Sequence, residues 1–169
     1  EEILLKYSDF ENNDIHLGYC NFEKINISCY NVEEIWFSGG KFESLRIGDY
    51  LIGNHIQKLT IFSEPDEVGD FFITEQSFEK IHLSGTNKNS EFNFSKIKCN
   101  NLLIDNFKNE GSLNFYGIEP KDKGIGYFQI LNSNLDNAQF YRASFSDYKE
   151  LIIVEILSKI PSMVPTPFT

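Results

Sequence analysis

The chain has 169 residues, with 25 Asp and Glu against 15 Lys and Arg for a formal charge of −10, and 41% of its residues are apolar, enough for the core of one domain. No apolar run reaches the ~18 residues of a membrane helix, and no charged, apolar, small-residue leader reads as a secretory signal. Nothing resembles the concentrated Lys/Arg footprint of a phosphate-backbone binder, so direct nucleic-acid binding is not expected.

Alanine occurs only at Ala138 and Ala143 and methionine only at Met163, so good helix formers are scarce. The chain opens on Glu1 rather than methionine, which reads as a mature product or an excised domain.

Residues 13–47 divide without remainder into the five-residue units NDIHL, GYCNF, EKINI, SCYNV, EEIWF, SGGKF and ESLRI. Each unit ends on an apolar residue: Leu17, Phe22, Ile27, Val32, Phe37, Phe42 and Ile47. Two positions earlier stand Ile15, Cys20, Ile25, Tyr30, Ile35, Gly40 and Leu45. A spacing of two puts both side chains on one face of an extended strand. Steps of five would rotate around a helix and scatter them.

Beyond residue 47 the pattern breaks and returns. Turn-forming residues cluster at Gly48–Asn54, Ser63–Asp70, Ser84–Ser90 and Tyr116–Gly126 and read as loops inserted between coils. Between them lie Leu59/Ile61, Phe71/Ile73, Phe78 with Ile81/Leu83, Phe92/Phe94, Ile97/Cys99, Leu102/Ile104 and Leu113/Phe115. The original phase resumes as GYFQI, LNSNL, DNAQF and YRASF, with Ile130, Leu135, Phe140 and Phe145 at the repeating position. Short strands at fixed spacing without Asn-Gly hairpin turns favour a solenoid over a sandwich.

The run LNSNL-DNAQF-YRASF resembles the pentapeptide-repeat proteins, with Leu135, Phe140 and Phe145 matching the central inward residue and Ala138 and Ala143 the small one. The resemblance implies an all-β, right-handed parallel β-helix. Periodicity supports it over most of the chain, and residue type over about residues 128–145. Elsewhere Ile15, Ile25, Ile35 and Leu45 occupy the small position, which predicts a flatter cross-section of ten-residue half-coils. Coils of about twenty residues give roughly seven to eight coils with short inserted loops, a rod about 35 Å long.

The last stretch, KELIIVEILSKIPSMVPTPFT, reads as a final coil rather than a capping helix, because Ile and Val favour strands. Residues 1–160 are expected to form one β-helix domain and 161–169, with Pro161, Pro165 and Pro167, a Pro-rich tail or linker.

Cys20, Cys29 and Cys99 form no CxxC pair and read as reduced thiols in a cytoplasmic compartment. His16, His55 and His82 have no Cys or His at ligand spacing, so no metal is expected. The loop SEPDEVGD is acidic but lacks the alternation of a calcium loop. Abundant asparagine suits tight corners. No GxSxG, HExxH or phosphate-cradling loop appears, so the chain is read as non-enzymatic, with no catalytic residues and no cofactor.

Four-unit coils stack His16 beneath Trp36, Asn26 beneath Arg46 and Glu23 beneath Glu43. His16 and Trp36 therefore mark a possible interaction surface, since aromatic residues are enriched at interface centres. The expected role is a structural or protein-interaction scaffold that binds a protein partner or itself. The alternatives are an acidic DNA mimic that inhibits a DNA-binding enzyme, as resemblance to some members of the family implies, or a carbohydrate-binding module.

Overall fold

The computed structural model describes residues 2–48, 56–64 and 68–154. Eleven strands fill them: β1 (Glu2–Asn21), β2 (Lys24–Ile47), β3 (Ile56–Ser63), β4 (Val68–Thr74), β5 (Ser77–Asn87), β6 (Glu91–Ser95), β7 (Lys98–Asn109), β8 (Ser112–Tyr116), β9 (Tyr127–Leu131), β10 (Ala138–Tyr141) and β11 (Glu150–Val154). All strand pairs are parallel, in the order β10-β8-β6-β4-β2-β3-β5-β7-β9-β11, with β1 beside β2. This is an all-β parallel solenoid of about 6 turns. The sole helical element among the described residues is a 3-10 turn at Phe145–Asp147.

The even-numbered strands form one face and the odd-numbered strands the other. Strand β2 turns a corner and serves both: Val32–Ser38 pairs with β3, and Lys41–Ile47 with β4. The flatter, two-faced coil expected from the large residues at the small position is what the chain forms.

The coil count is lower than the seven to eight that uniform coils give. Inserted residues lengthen several windings, so Leu45 pairs with Phe71 and Leu113 with Ala138. Ser84–Asn87, expected in a loop, continues β5 against β7. Tyr30 is half-buried at a corner, where Asn31 takes φ 55° and Cys29 fills the interior. Strand β11 continues the winding against β9, as expected of a last coil. Ile156, Leu157, Ile160 and the proposed tail 161–169 lie outside the described residues.

Inside, each inward side chain rests on the equivalent one of the next coil. Ile25, Leu45, Phe71, Phe92 and Leu113 are all essentially inaccessible, as are Ile35, Leu59, Ile81, Leu102 and Phe128 on the facing strands. The phenylalanines make a continuous contact path, with centroids 5.0 Å apart for Phe37–Phe71 and 4.5 Å for Phe71–Phe92. Phe94, Phe115 and Phe140 stack nearly parallel at 4.7 and 5.0 Å. Centroids 4.5–7 Å apart add to the stabilisation from area burial alone.

One corner is polar. Asn87 Nδ2 donates to Asn109 Oδ1 at 2.8 Å, and Asn109 Nδ2 to the carbonyl of Asp136 at 2.5 Å. Both asparagines are fully buried, so each needs these partners to offset the loss of water. At the next corners Gly85 (φ 93°) and Gly126 (φ 86°) lie where an added Cβ would come within 2.0 Å of the Ser63 carbonyl and 1.8 Å of the Asn100 carbonyl, respectively. Only glycine fits such turns.

Phe71 touches three other rings, Phe37, Phe42 and Phe92, whereas Phe72 faces outward under Arg46. Phe71→Ala is expected to lower the unfolding free energy by about 3–5 kcal/mol and Phe72→Ala by about 1 kcal/mol or less. Urea denaturation followed by far-UV circular dichroism measures both.

Candidate interaction face

The outward positions of the odd-numbered face fall into three columns, because parallel in-register pairing sets equivalent residues one above another. The middle column runs His16, Trp36, Thr60, His82, Leu103, Gln129 and Ile152. Among the described residues it contains no carboxylate, lysine or arginine. Trp36 is 37% exposed and Phe62, beside Thr60, is 43% exposed. The column thus presents an apolar and weakly polar stripe to solvent.

His16 and Trp36 are register partners, with ring centroids 5.3 Å apart at 75°. The pentad spacing places them together, and the structure shows the ring contact. The five lower members were not singled out from sequence. Their alignment depends on the lengths of the inserted loops, which the local pattern does not give.

One flanking column reads Glu34, Lys58, Lys80, Asn101, Tyr127 and Glu150, with Asp14 accepting a 3.1 Å hydrogen bond from the Glu34 amide. The other contains Ser38, which is buried, then Phe62 and Ser84, followed by Asp105, Leu131 and Val154. Thr60 Oγ1 donates to Glu34 Oε1 at 2.6 Å, and Lys58 Nζ lies 3.6 Å from Glu33. A cleft of about 290 Å³ lined by Lys80, Asn101, Leu103, Tyr127 and Gln129 lies across the lower half of the stripe.

His82 is half-buried, and its Nε2 has no hydrogen-bond partner among the described residues. Burial holds this imidazole below the usual histidine range, and repulsion from Lys80 adds to the effect. Asp105 and Glu34 oppose it more weakly. The neutral ring is the form the stripe accommodates.

On the even-numbered face, Lys24, Asn26, Glu43, Ser44, Arg46, Asp70 and Phe72 line a second cleft of about 330 Å³. Asn26 and Arg46 thus share one surface, and the Glu43 amide donates to the Glu23 carbonyl at 2.8 Å, as the predicted stacking requires. Arg46 lies 4.8 Å above the Phe72 ring, and Lys24 lies 3.9 Å from Glu43. Further along the chain, Tyr116 and Tyr141 stack at 5.3 Å, and Arg142 covers both rings while donating to Tyr116 Oη at 3.0 Å.

Other charges are largely consumed within the surface. Lys96 pairs with Glu75, Lys98 with Glu119, Lys108 with Glu110, Lys121 with Glu79 and Lys123 with Asp147. The hydrogen bond from Lys121 holds Glu79 below the ordinary carboxylate range, aided by Asn100, and this cluster ties the long 117–126 loop to the solenoid. Asparagine serves the corners: Asn12, Asn31, Asn106, Asn132 and Asn137 all take positive φ.

The thiols of Cys29 and Cys99 are buried, which pushes them up to about 11 and about 12, respectively. Neither is poised as a nucleophile. Among the described residues, no three His, Cys, Asp or Glu side chains converge on a common point. Asp66 and Glu67 of the acidic loop lie outside the described residues.

No family model matches the chain, and no solved structure does. It is similar to a tRNA pseudouridine synthase B of Mycoplasma mobile, 33% identical over 144 residues. That match takes in 75% of this chain and 46% of the other, so the chain spans about half the length of the relative.

Because burial holds His82 in the folded state below the 6.5 of the unfolded chain, the folded state binds fewer protons as the solution is acidified. Its stability is therefore fully present above about pH 6.5 and falls as acid brings the solution through the lower folded value. Urea midpoints at pH 7.5 and pH 5.5 are expected to differ less in His82→Gln than in the parent protein.

Proposed function

We propose that this chain is a non-enzymatic solenoid, a degenerate relative of the pentapeptide-repeat proteins, that acts as a protein-interaction scaffold through its odd-numbered face. The observation that carries this reading is the middle column from His16 to Ile152, which holds no carboxylate, lysine or arginine and is bordered by Glu34, Lys58, Lys80 and Asp105. An apolar centre depleted of charge within a polar rim is the usual anatomy of a protein interface. Parallel stacking makes the surface flat and rigid, so docking orders few side chains.

The other readings have less support. A DNA mimic needs a continuous negative stripe, and Lys24, Lys58, Lys96, Lys98, Lys108, Lys121 and Lys123 each sit against a carboxylate. A sugar platform needs a bare aromatic face, yet Arg142 covers Tyr116 and Tyr141 and the His16 and Trp36 rings contact one another at 5.3 Å. An RNA-modifying role like that named for the Mycoplasma mobile protein rests on less than half of that protein.

Affinity capture with the parent chain, Leu103→Lys and Asn114→Lys tests the proposal. The parent and the Asn114→Lys control, altered on the opposite face, are expected to retain one identified protein, itself included. Leu103→Lys is expected to weaken retention by about tenfold or more. Equal retention by Leu103→Lys, or no retained protein at all, would overturn the reading.

A further inference from the structure

We propose that the partner seated on the odd-numbered face is a second copy of this chain, packed face to face about a two-fold axis running along the middle column. The proposal rests on the scaffold reading above and names its occupant.

The argument is one of symmetry and charge. A two-fold parallel to the solenoid axis sets every residue of the middle column against its own counterpart, rung upon rung. A carboxylate, lysine or arginine in that column would meet its like, and none occurs among His16, Trp36, Thr60, His82, Leu103, Gln129 and Ile152. The same axis exchanges the flanks. Glu34 then faces Ser38 of the second copy, Lys58 faces Phe62, Lys80 faces Ser84, Asp105 faces Asn101 and Glu150 faces Val154. No like charges meet, and Lys80 lies one rung from Asp105 of the second copy, an attractive diagonal.

The alternative two-fold, along the strands, keeps each flank over itself and reverses the rungs. Full overlap then sets Lys80 upon Lys80 and Asp14 against Glu150, both repulsive.

Size is compatible with a reversible dimer. Seven rungs about 4.8 Å apart and a width of about five strand residues cover roughly 500 Å² per copy, about 1,000 Å² in total. That is the lower bound for a specific interface and fits association in the micromolar range.

The test uses sedimentation velocity over a series from low to high micromolar chain concentration, in parallel with the emission of Trp36, the single tryptophan. The expected result is a monomer–dimer equilibrium, with Trp36 emission shifting to the blue as dimer forms. Leu103→Lys and the milder Gln129→Lys are expected to weaken the dimer at least about tenfold with unchanged circular dichroism. In a Cys20→Ser background, Thr60→Cys is expected to join to its counterpart through a short bismaleimide, since facing sheets lie about 10 Å apart. Asn114→Cys is expected to remain unjoined.

A chain that stays monomeric throughout, a dimer indifferent to both lysine variants, or cross-linking at Asn114→Cys instead of Thr60→Cys would overturn the proposal. A monomer that still loses another protein with Leu103→Lys sinks the dimer alone and leaves the scaffold reading standing.

Discussion

Parallel pairing without offset makes each coil a template for the next. At about 4.8 Å per rung, a side chain has its closest neighbours directly above and below, not along its own strand. Ile25, Leu45, Phe71, Phe92 and Leu113 form one such ladder, and the interior accepts them because each apolar surface covers the next. A polar residue enters only if it brings its own chain of partners. Asn87 and Asn109 meet that condition by bonding to one another and to the carbonyls of Ser90 and Asp136. Tyr148, whose buried hydroxyl has no partner among the described residues, sits at the last winding, against Phe128.

The same stacking operates on the outside, where it turns isolated surface residues into columns. Lys58 and Lys80 are adjacent rungs of one column, an arrangement that like charges oppose. Glu33 at 3.6 Å from Lys58 relieves it, and Glu34 occupies the rung above. Elsewhere some lysines settle on carboxylates one coil away, as Lys96 does with Glu75 at 2.5 Å, and Lys108 settles on Glu110 within its own coil. Exposed pairs of this kind contribute little stability each, and the middle of the odd-numbered face remains a track without carboxylate, lysine or arginine.

How much of this was legible in the sequence depends on where the period is unbroken. Residues 13–47 carry it without interruption, so the inward Ile25, Ile35 and Leu45, and the meeting of His16 with Trp36, follow from spacing alone. The loop containing Pro120 and Gly117 also announces itself. Past residue 47 the windings differ in length, and local alternation says which way a side chain points but not which residue lies above it. His82 and Leu103 look like ordinary outward positions until pairing puts them in line with Trp36. Asn87 and Asn109 likewise pass for turn residues, which is why Ser84–Asn87 reads as loop when it is strand. A long-range register is not written in any single segment.

A chain of net charge −10 is poorly disposed to associate with copies of itself if charge acts as a whole. At physiological ionic strength, however, exposed charges are screened beyond about 8 Å, less than the distance from the middle column to the even-numbered face when two sheet faces are about 10 Å apart. The charges of that face, where Glu43 and Asp70 share a cleft with Lys24 and Arg46, therefore do not oppose contact across the odd-numbered strands. In the proposed dimer, what decides docking is the local balance of Glu34, Lys58, Lys80, Asp105 and Glu150, which carries both signs. On the scaffold reading proposed above, a track without carboxylate, lysine or arginine on a chain of net charge −10 would serve as a selective surface, admitting an apolar, flat partner at close range while the net charge opposes non-specific approach.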